Sequence, residues 1–260
     1  MNRPVIVELD ACVHQIGTRT VGPASFRVGP GVVHGLVGRQ GSGKTTLVNL
    51  VTGRLRPTSG TVRVYGRQPL AEGDEPETAI GFSPDEDLVG ALSSTGYWKL
   101  RATVLARHGR DDREALDRAA GLAARLAAAL STPLGRGSSG GARRAAQVVA
   151  ALMHAPPLIV LDEPAAGLDP VSAVTLGQIL REHAAAGAGI LVATPDLAWA
   201  RRFTHTVSVV SAGSVAATRP SAQALGPTPT TVVHDGFWAA AEAFVDELDS
   251  PEADSESPAD

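Results

Sequence analysis

Residues 38–45 read Gly-Arg-Gln-Gly-Ser-Gly-Lys-Thr and match the pattern G-x-x-x-x-G-K-[ST] at every fixed position. No other stretch restricts the fold as much. Such a loop must curl until successive backbone N–H groups point inward at an anion, and glycine permits the dihedrals and the close approach. It also needs a buried strand before it and a helix after it, whose positive dipole end adds to the cradle. The apolar run Val32–Val37 supplies the strand, and Thr45–Val51 reads as the helix. The Lys44 ammonium is placed to neutralise β- and γ-phosphates, and the Thr45 hydroxyl to ligate Mg²⁺. Only two lysines, Lys44 and Lys99, stand against twenty-one arginines, so a lysine here is informative. The expected nucleotide contacts are Gly38, Arg39, Gln40, Gly41, Ser42, Gly43, Lys44, Thr45 and Thr46.

A second element complements the first. Leu158–Leu161 is an apolar strand that runs into Asp162, Glu163 and Pro164. Four apolar residues put Asp162 at the carboxyl edge of a buried strand, where ligands sit in open α/β sheets. An aspartate there can hold Mg²⁺, and Glu163 is placed to orient or deprotonate an attacking water.

Strand and helix patterns alternate along much of the chain, which predicts a largely parallel sheet. Strands are expected at Val5–Leu9, Ser25–Val28, Thr61–Tyr65, Ile80–Phe82 and Ile190–Ala193, with a hairpin at Val207–Ala217 turning on Ala212-Gly213. Ala71–Thr78 reads as a loop and Val171–Ala186 as a helix. Residues 86–157 are rich in alanine, leucine and arginine and read as a helical insert. Its clearest helix is Arg113–Leu130, capped by Asp111 or Asp112. The expected apolar face is Leu116, Ala119, Ala120, Ala123, Leu126 and Leu130. Residues 226–248 are expected to add a helical extension and 249–260, acidic and without a basic residue, a disordered tail.

Composition removes several classes. A 43% apolar chain forms a core, and none of its apolar runs reaches the roughly 18 residues of a membrane span. No secretory segment is read at the start. A net charge of −4 argues against nucleic acid as a partner. The lone Cys12 excludes an internal disulfide framework and reads as a small buried hydrophobe.

Ser138-Ser139-Gly140-Gly141-Ala142 lies twenty-four residues before Asp162 at its first position and resembles the LSGGQ signature of ATP-binding cassette (ABC) ATPases. Ala165–Pro170 looks like the D-loop of that family, and the insert and closing hairpin also match. The resemblance covers about residues 5–225 and implies an α/β phosphate-loop ATPase fold over 1–225. That fold has a mostly parallel core sheet, an N-terminal antiparallel β part and a helical subdomain at about 86–157. It further implies ATP and Mg²⁺ as cofactors and head-to-tail pairing with a second nucleotide-binding subunit, across which Ser139, Gly140 and Gly141 would meet the γ-phosphate. The other implied partner is a separate membrane permease subunit, contacted beside Asp85 and Leu88–Leu100 with Tyr97 and Trp98 as anchors. The chain would then sit peripherally on the cytoplasmic face of the membrane, in a system resembling drug-resistance and bacteriocin-type exporters. A soluble cassette protein of translation or DNA repair would need a second cassette or long coiled coils, and neither pattern is present.

Departures from the family pattern bear on mechanism. Ser138 and Ala142 replace the leucine and glutamine of the signature. Asp85 stands where the Q-loop glutamine is expected and is the third expected metal-site residue, beside Thr45 and Asp162. Ile16, with His14 nearby, stands where an aromatic would stack on adenine. Pro195, in Ala193-Thr194-Pro195-Asp196-Leu197, replaces the switch histidine and has no side-chain donor or acceptor. His205 and His183 are the nearest substitutes. Two readings follow: an ATPase subunit with slow turnover, with Glu163 as its catalytic residue, or a hydrolysis-impaired regulatory partner in a heterodimer.

Overall fold

The computed structural model describes residues 5–69, 79–90, 92–126 and 140–225. Its centre is β3 (Val33–Val37), in which every residue is buried because strands lie on both sides. The six-stranded sheet runs β5 (Ile80–Ser83), β6 (Leu158–Asp162), β7 (Gly189–Thr194), β3, β8 (Thr206–Ser211) and β9 (Ser214–Pro220). The first five are parallel, and β9 closes the edge antiparallel to β8. The expected mostly parallel sheet is therefore present. The carboxyl ends of the five parallel strands point to one edge, which puts the loop after β3 beside Asp162 at the end of β6.

Alternation on β6 explains the layers. Leu158 and Val160 face one core together with α1 (Lys44–Val51) and a three-stranded antiparallel sheet; Ile159 and Leu161 face a second core of helices. The small sheet has the order β2-β1-β4, from β1 (Val7–Ile16), β2 (Arg19–Val28) and β4 (Ser59–Val64). Strand β1 continues well past the expected Leu9. Its ladder shifts register between Leu9 and Cys12, where Ala11 takes a positive φ of 45°. That bulge breaks the period-two pattern and hides the second half of the strand from a sequence reading. Cys12 is buried in this core, and burial pushes its thiol up to about 11, as suits an inert hydrophobe.

The helical core gathers α2 (Ser94–Arg107), α3 (Asp112–Arg125), α4 (Gly140–Leu152), α5 (Pro170–Ala185) and α6 (Leu197–Phe203). Asp111 caps α3 by accepting from the backbone N–H groups of Arg113 and Glu114 at 2.9 and 3.0 Å. The buried face of α3 is Ala115, Ala119 and Leu126, flanked by Leu116, Leu122 and Ala123, whereas the expected Ala120 is exposed. One position moves because the stripe follows the wider i, i+4, i+7 rows of the helix. Leu130 lies outside the described residues, as do the 71–78 loop, the 226–248 extension and the 249–260 tail. Short α7 (Ser221–Ala224) follows β9.

The β8–β9 turn falls on Ala212-Gly213, with φ of 47° and 86°, as a two-residue hairpin requires. This turn is also structural scaffolding. Gly213 donates to the carbonyl of Ser42 at 2.9 Å and accepts from the N–H of Gly22 at 2.6 Å, wedging the tip between the phosphate-loop motif and the small sheet.

Candidate functional site

Residues 38–43 leave β3 and curl back onto α1. Gly41 and Gly43 hold φ of 76° and 109°, a region other residues resist. A Cβ on Gly38 would collide with the carbonyl oxygen of Val210, so the loop lies directly on β8. Helix α1 opens without a side-chain cap or an acidic residue in its first turn, which leaves its N–H groups directed at the loop interior. Lys44 is 4% exposed, and its ammonium donates to the carbonyls of Gly38 and Arg39 at 2.9 and 3.0 Å. Those two bonds use two of its three protons and stand the cation across the cradle. From the small sheet Arg19 donates to the carbonyl of Gly41 at 3.0 Å, which brings the β1–β2 hairpin end beside the loop. Ile16, 51% exposed, lies opposite Arg19 on that end; His14 is taken up by the carbonyl of Arg56 at 2.7 Å.

Asp162 ends β6 and is 1% exposed, and neither of its carboxylate oxygens has a hydrogen-bond partner among the described residues. Burial pushes its pKa up to about 6, the charges of Asp85 and Glu163 push the same way, and Thr45 and Lys44 oppose them. Thr45 is thus close enough to act on the carboxylate without completing a hydrogen bond to it. An unpartnered buried carboxylate facing a threonine hydroxyl and a lysine is an oxygen-rich site suited to a hard divalent cation, whose charge would reverse the shift. The donor set therefore fits Mg²⁺. Glu163 follows with a positive φ of 49° and donates its N–H to the carbonyl of Ala193 at 2.8 Å. A non-glycine residue held there carries backbone strain of order 1–3 kcal/mol, which the ladder to β7 must hold in place.

Gly140 and Gly141 begin α4. A Cβ on Gly141 would collide with the carbonyl oxygen of Gly167, so the start of this helix rests on residues 165–169. Asp169 in turn caps α5 through Ser172. Ser139 falls outside the described residues. Asp85 follows β5, whose Ser83 pairs with Leu161, and its carboxylate accepts from Arg144 at 2.7 Å. Pro195 stands after β7 in the wall of a cleft of about 840 Å³, with Gly38–Ser42 and Leu197. The two alternative histidines lie elsewhere. His205 accepts from the N–H of Val33, at the opposite end of the parallel strands, and His183 is bonded to the carbonyl of Ile179 on α5. Trp98, expected as an anchor, is 8% exposed and donates to the carbonyl of Ala146, so it belongs to the core. Tyr97 instead lines a groove of about 310 Å³ with Arg54, Phe82, Leu88 and Arg101. Sequence reasoning gave no role to Arg19 or Arg144, and gave Gly213 a turn but not its bonds to Ser42 and Gly22. Each acts through a long-range contact that no local pattern announces.

The loop, the acid-tipped strand and the helix resting on residues 165–169 define a nucleotide-binding cassette of the phosphate-loop class. Residues 21–166 match the family model described as ABC transporter, and the chain belongs to that family. It is 32% identical over 206 residues to the daunorubicin/doxorubicin resistance ATP-binding protein DrrA of Streptomyces peucetius, covering 77% of this chain and 61% of that protein. To the daunorubicin resistance ATP-binding protein DrrA3 of Streptomyces coeruleorubidus it is 34% identical over 198 residues, covering 74% and 60%. The chain thus spans about three fifths of the length of these relatives. Among solved structures, an ATP-binding subunit of an ABC transporter superposes with a TM-score of 0.73 at 25% identity, covering 91% of this chain and 99% of that one. A nucleotide-free ATP-binding cassette from an ABC transporter gives 0.68 at 22% identity, covering 88% and 97%.

Proposed function

We propose that this chain binds and hydrolyses MgATP to drive transport through a separate membrane permease subunit, from the cytoplasmic face of the membrane. The observation that carries the reading is the orphaned carboxylate of Asp162 beside an uncapped helix and a lysine held across the loop. In this reading the N–H groups of residues 38–45 cradle the phosphates, Lys44 balances their charge, Thr46 extends the contact, and the exposed Ile16 covers one face of the base. Thr45 and Asp162 would hold Mg²⁺, with Asp85 adding negative potential nearby; the ion supplies charge neutralisation on the phosphate oxygens. Glu163 orients and deprotonates water. Ser139, Gly140 and Gly141 serve the nucleotide of a second nucleotide-binding subunit, either a copy of this chain or a different one. The permease would dock in the groove lined by Arg54, Phe82, Leu88, Tyr97 and Arg101; Leu92 and Leu100, close in sequence to these residues, are also exposed. Resistance to daunorubicin, the role in the names of both relatives, favours export as the direction of transport.

A second reading has its own observation. Pro195 in the cleft wall offers no donor to charge developing on the γ-phosphate, so the chain would bind ATP normally and turn it over slowly, as the regulatory half of a heterodimer. Calorimetry of ATP uptake with and without Mg²⁺, alongside Lys44→Ala, tests the common core. Uptake that requires magnesium and falls at least tenfold in the variant is expected. No uptake by the parent protein at millimolar ATP refutes both readings.

A further inference from the structure

Helix α4 is joined to the chain leaving β5 along most of its length. Toward its C-terminal end the backbones touch, since a Cβ on Gly81 would collide with the carbonyl oxygen of Ala151. One turn earlier the buried Gln147 donates to the carbonyls of Pro84 and Glu86 at 3.3 and 2.8 Å and accepts from the N–H of Leu88 at 3.3 Å. Nearly one turn earlier again, on the same face, Arg144 donates to the carbonyls of Pro84 at 2.6 Å and Asp85 at 2.7 Å, and to the Asp85 carboxylate at 2.7 Å. Arg143 reaches Asp87 at 2.8 Å. The Arg144 side chain is only 11% exposed, so the pair is shielded on the cationic side although Asp85 is half exposed. Trp98 ties α2 into the same body through Ala146.

The two ends of this body matter. One is Gly140-Gly141, resting on Gly167; the other is the exit of β5, whose last residue pairs with the strand that carries Asp162. We propose that Arg144 is a positioning residue: its guanidinium fork holds Asp85 and the β5 exit against α4, so that Gly140-Gly141 and Asp162 keep a constant separation. Asp85 is then the anchor of a strut, and its carboxylate is spent on arginine rather than on a metal. Three directed bonds from one planar group fix both distance and orientation; a lysine ammonium would keep the charge and lose the geometry. The inference rests on the proposed function only in naming the two ends as nucleotide contacts.

Hydrogen–deuterium exchange on the full chain without nucleotide tests it, so that a failure to bind ATP would leave the result readable. In Arg144→Leu, peptides spanning 84–90 should exchange at least tenfold faster, with peptides of α1 unchanged. Asp85→Asn keeps the two carbonyl contacts and should accelerate exchange less. Should Arg144→Leu not fold, Arg144→Lys is read instead, with at least threefold acceleration expected. In single-turnover assays the lysine variant should keep ATP affinity within twofold and lose at least fivefold in rate, since the cradle is intact and only the relative placement has slackened. Unchanged exchange at 84–90 in a folded Arg144 variant overturns the proposal. So does an Asp85→Asn protein with unchanged exchange that has lost magnesium-dependent ATP binding, because the carboxylate would then serve the ion.

Discussion

Substituting His34 by glutamine is expected to flatten the acid side of the stability curve. His34 lies in the central strand, fully buried, stacked on Phe26 with ring centroids 5.2 Å apart and planes 9° apart. Its Nδ1 is 2.8 Å from the Thr206 hydroxyl and its Nε2 3.0 Å from that of Ser208. Both hydroxyls can rotate to donate or accept, so the hydrogen bonds tolerate either protonation state and burial alone decides. Burial lowers the pKa from 6.5 to about 4. The unfolded chain therefore takes up a proton below 6.5 that the native state refuses until about 4. The stability held by neutral His34 is complete above that window, falls through it as pH drops, and levels off below it. Linkage converts the shift to a ceiling of about 3 kcal/mol, of which about 1.5 is lost by pH 5.5 and about 2.5 by pH 4.5. Urea denaturation of the parent and His34→Gln from pH 7.5 to 4.5 measures the difference. His154, lowered to about 4 mainly by burial and further by Arg101, Arg110 and Arg118, contributes equally to both proteins and cancels. Parallel curves for parent and variant would refute the argument.

Further expectations concern the site. Asp162→Asn removes a buried unpaired charge and should raise the stability of the nucleotide-free protein by about 1–3 kcal/mol in urea melts, while abolishing magnesium-dependent ATP binding by calorimetry. Pro195→His restores a donor at the cleft wall and should raise the ATPase rate by about 10²-fold in a phosphate-release assay; no gain would count against the slow-turnover reading. Gly141→Ala forces a Cβ onto the carbonyl of Gly167 and should lower stability by about 1–3 kcal/mol, seen as a lower urea midpoint.

The sequence discloses the site better than its supports. The phosphate loop, Asp162 and Glu163 are legible because their chemistry demands residue types at fixed spacings, and the parallel sheet follows from continuous apolar runs buried on both faces. The far half of β1 is hidden by the bulge at Ala11, and α6 by its length of seven residues, although Asp196 caps it by accepting from the N–H of Trp199 at 2.9 Å. Helix α2 starts at a capping serine with a glycine in its first turn, a weak signal against a mixed pattern. The Arg144 clamp is illegible for a plainer reason: a residue fifty-nine positions from Asp85 gives no sign of proximity until the helix packs against β5.

The turn at Ala212-Gly213 sets an order on biosynthesis. The anion-gripping loop emerges early from the ribosome, yet the β8 carbonyl and the Gly213 amide that brace it belong to residues made some 170 positions later. A nascent chain released before that hairpin would carry the full motif and still lack the floor beneath it. Closure of the sheet at its last antiparallel edge is therefore a condition for the loop to be held in the shape described above.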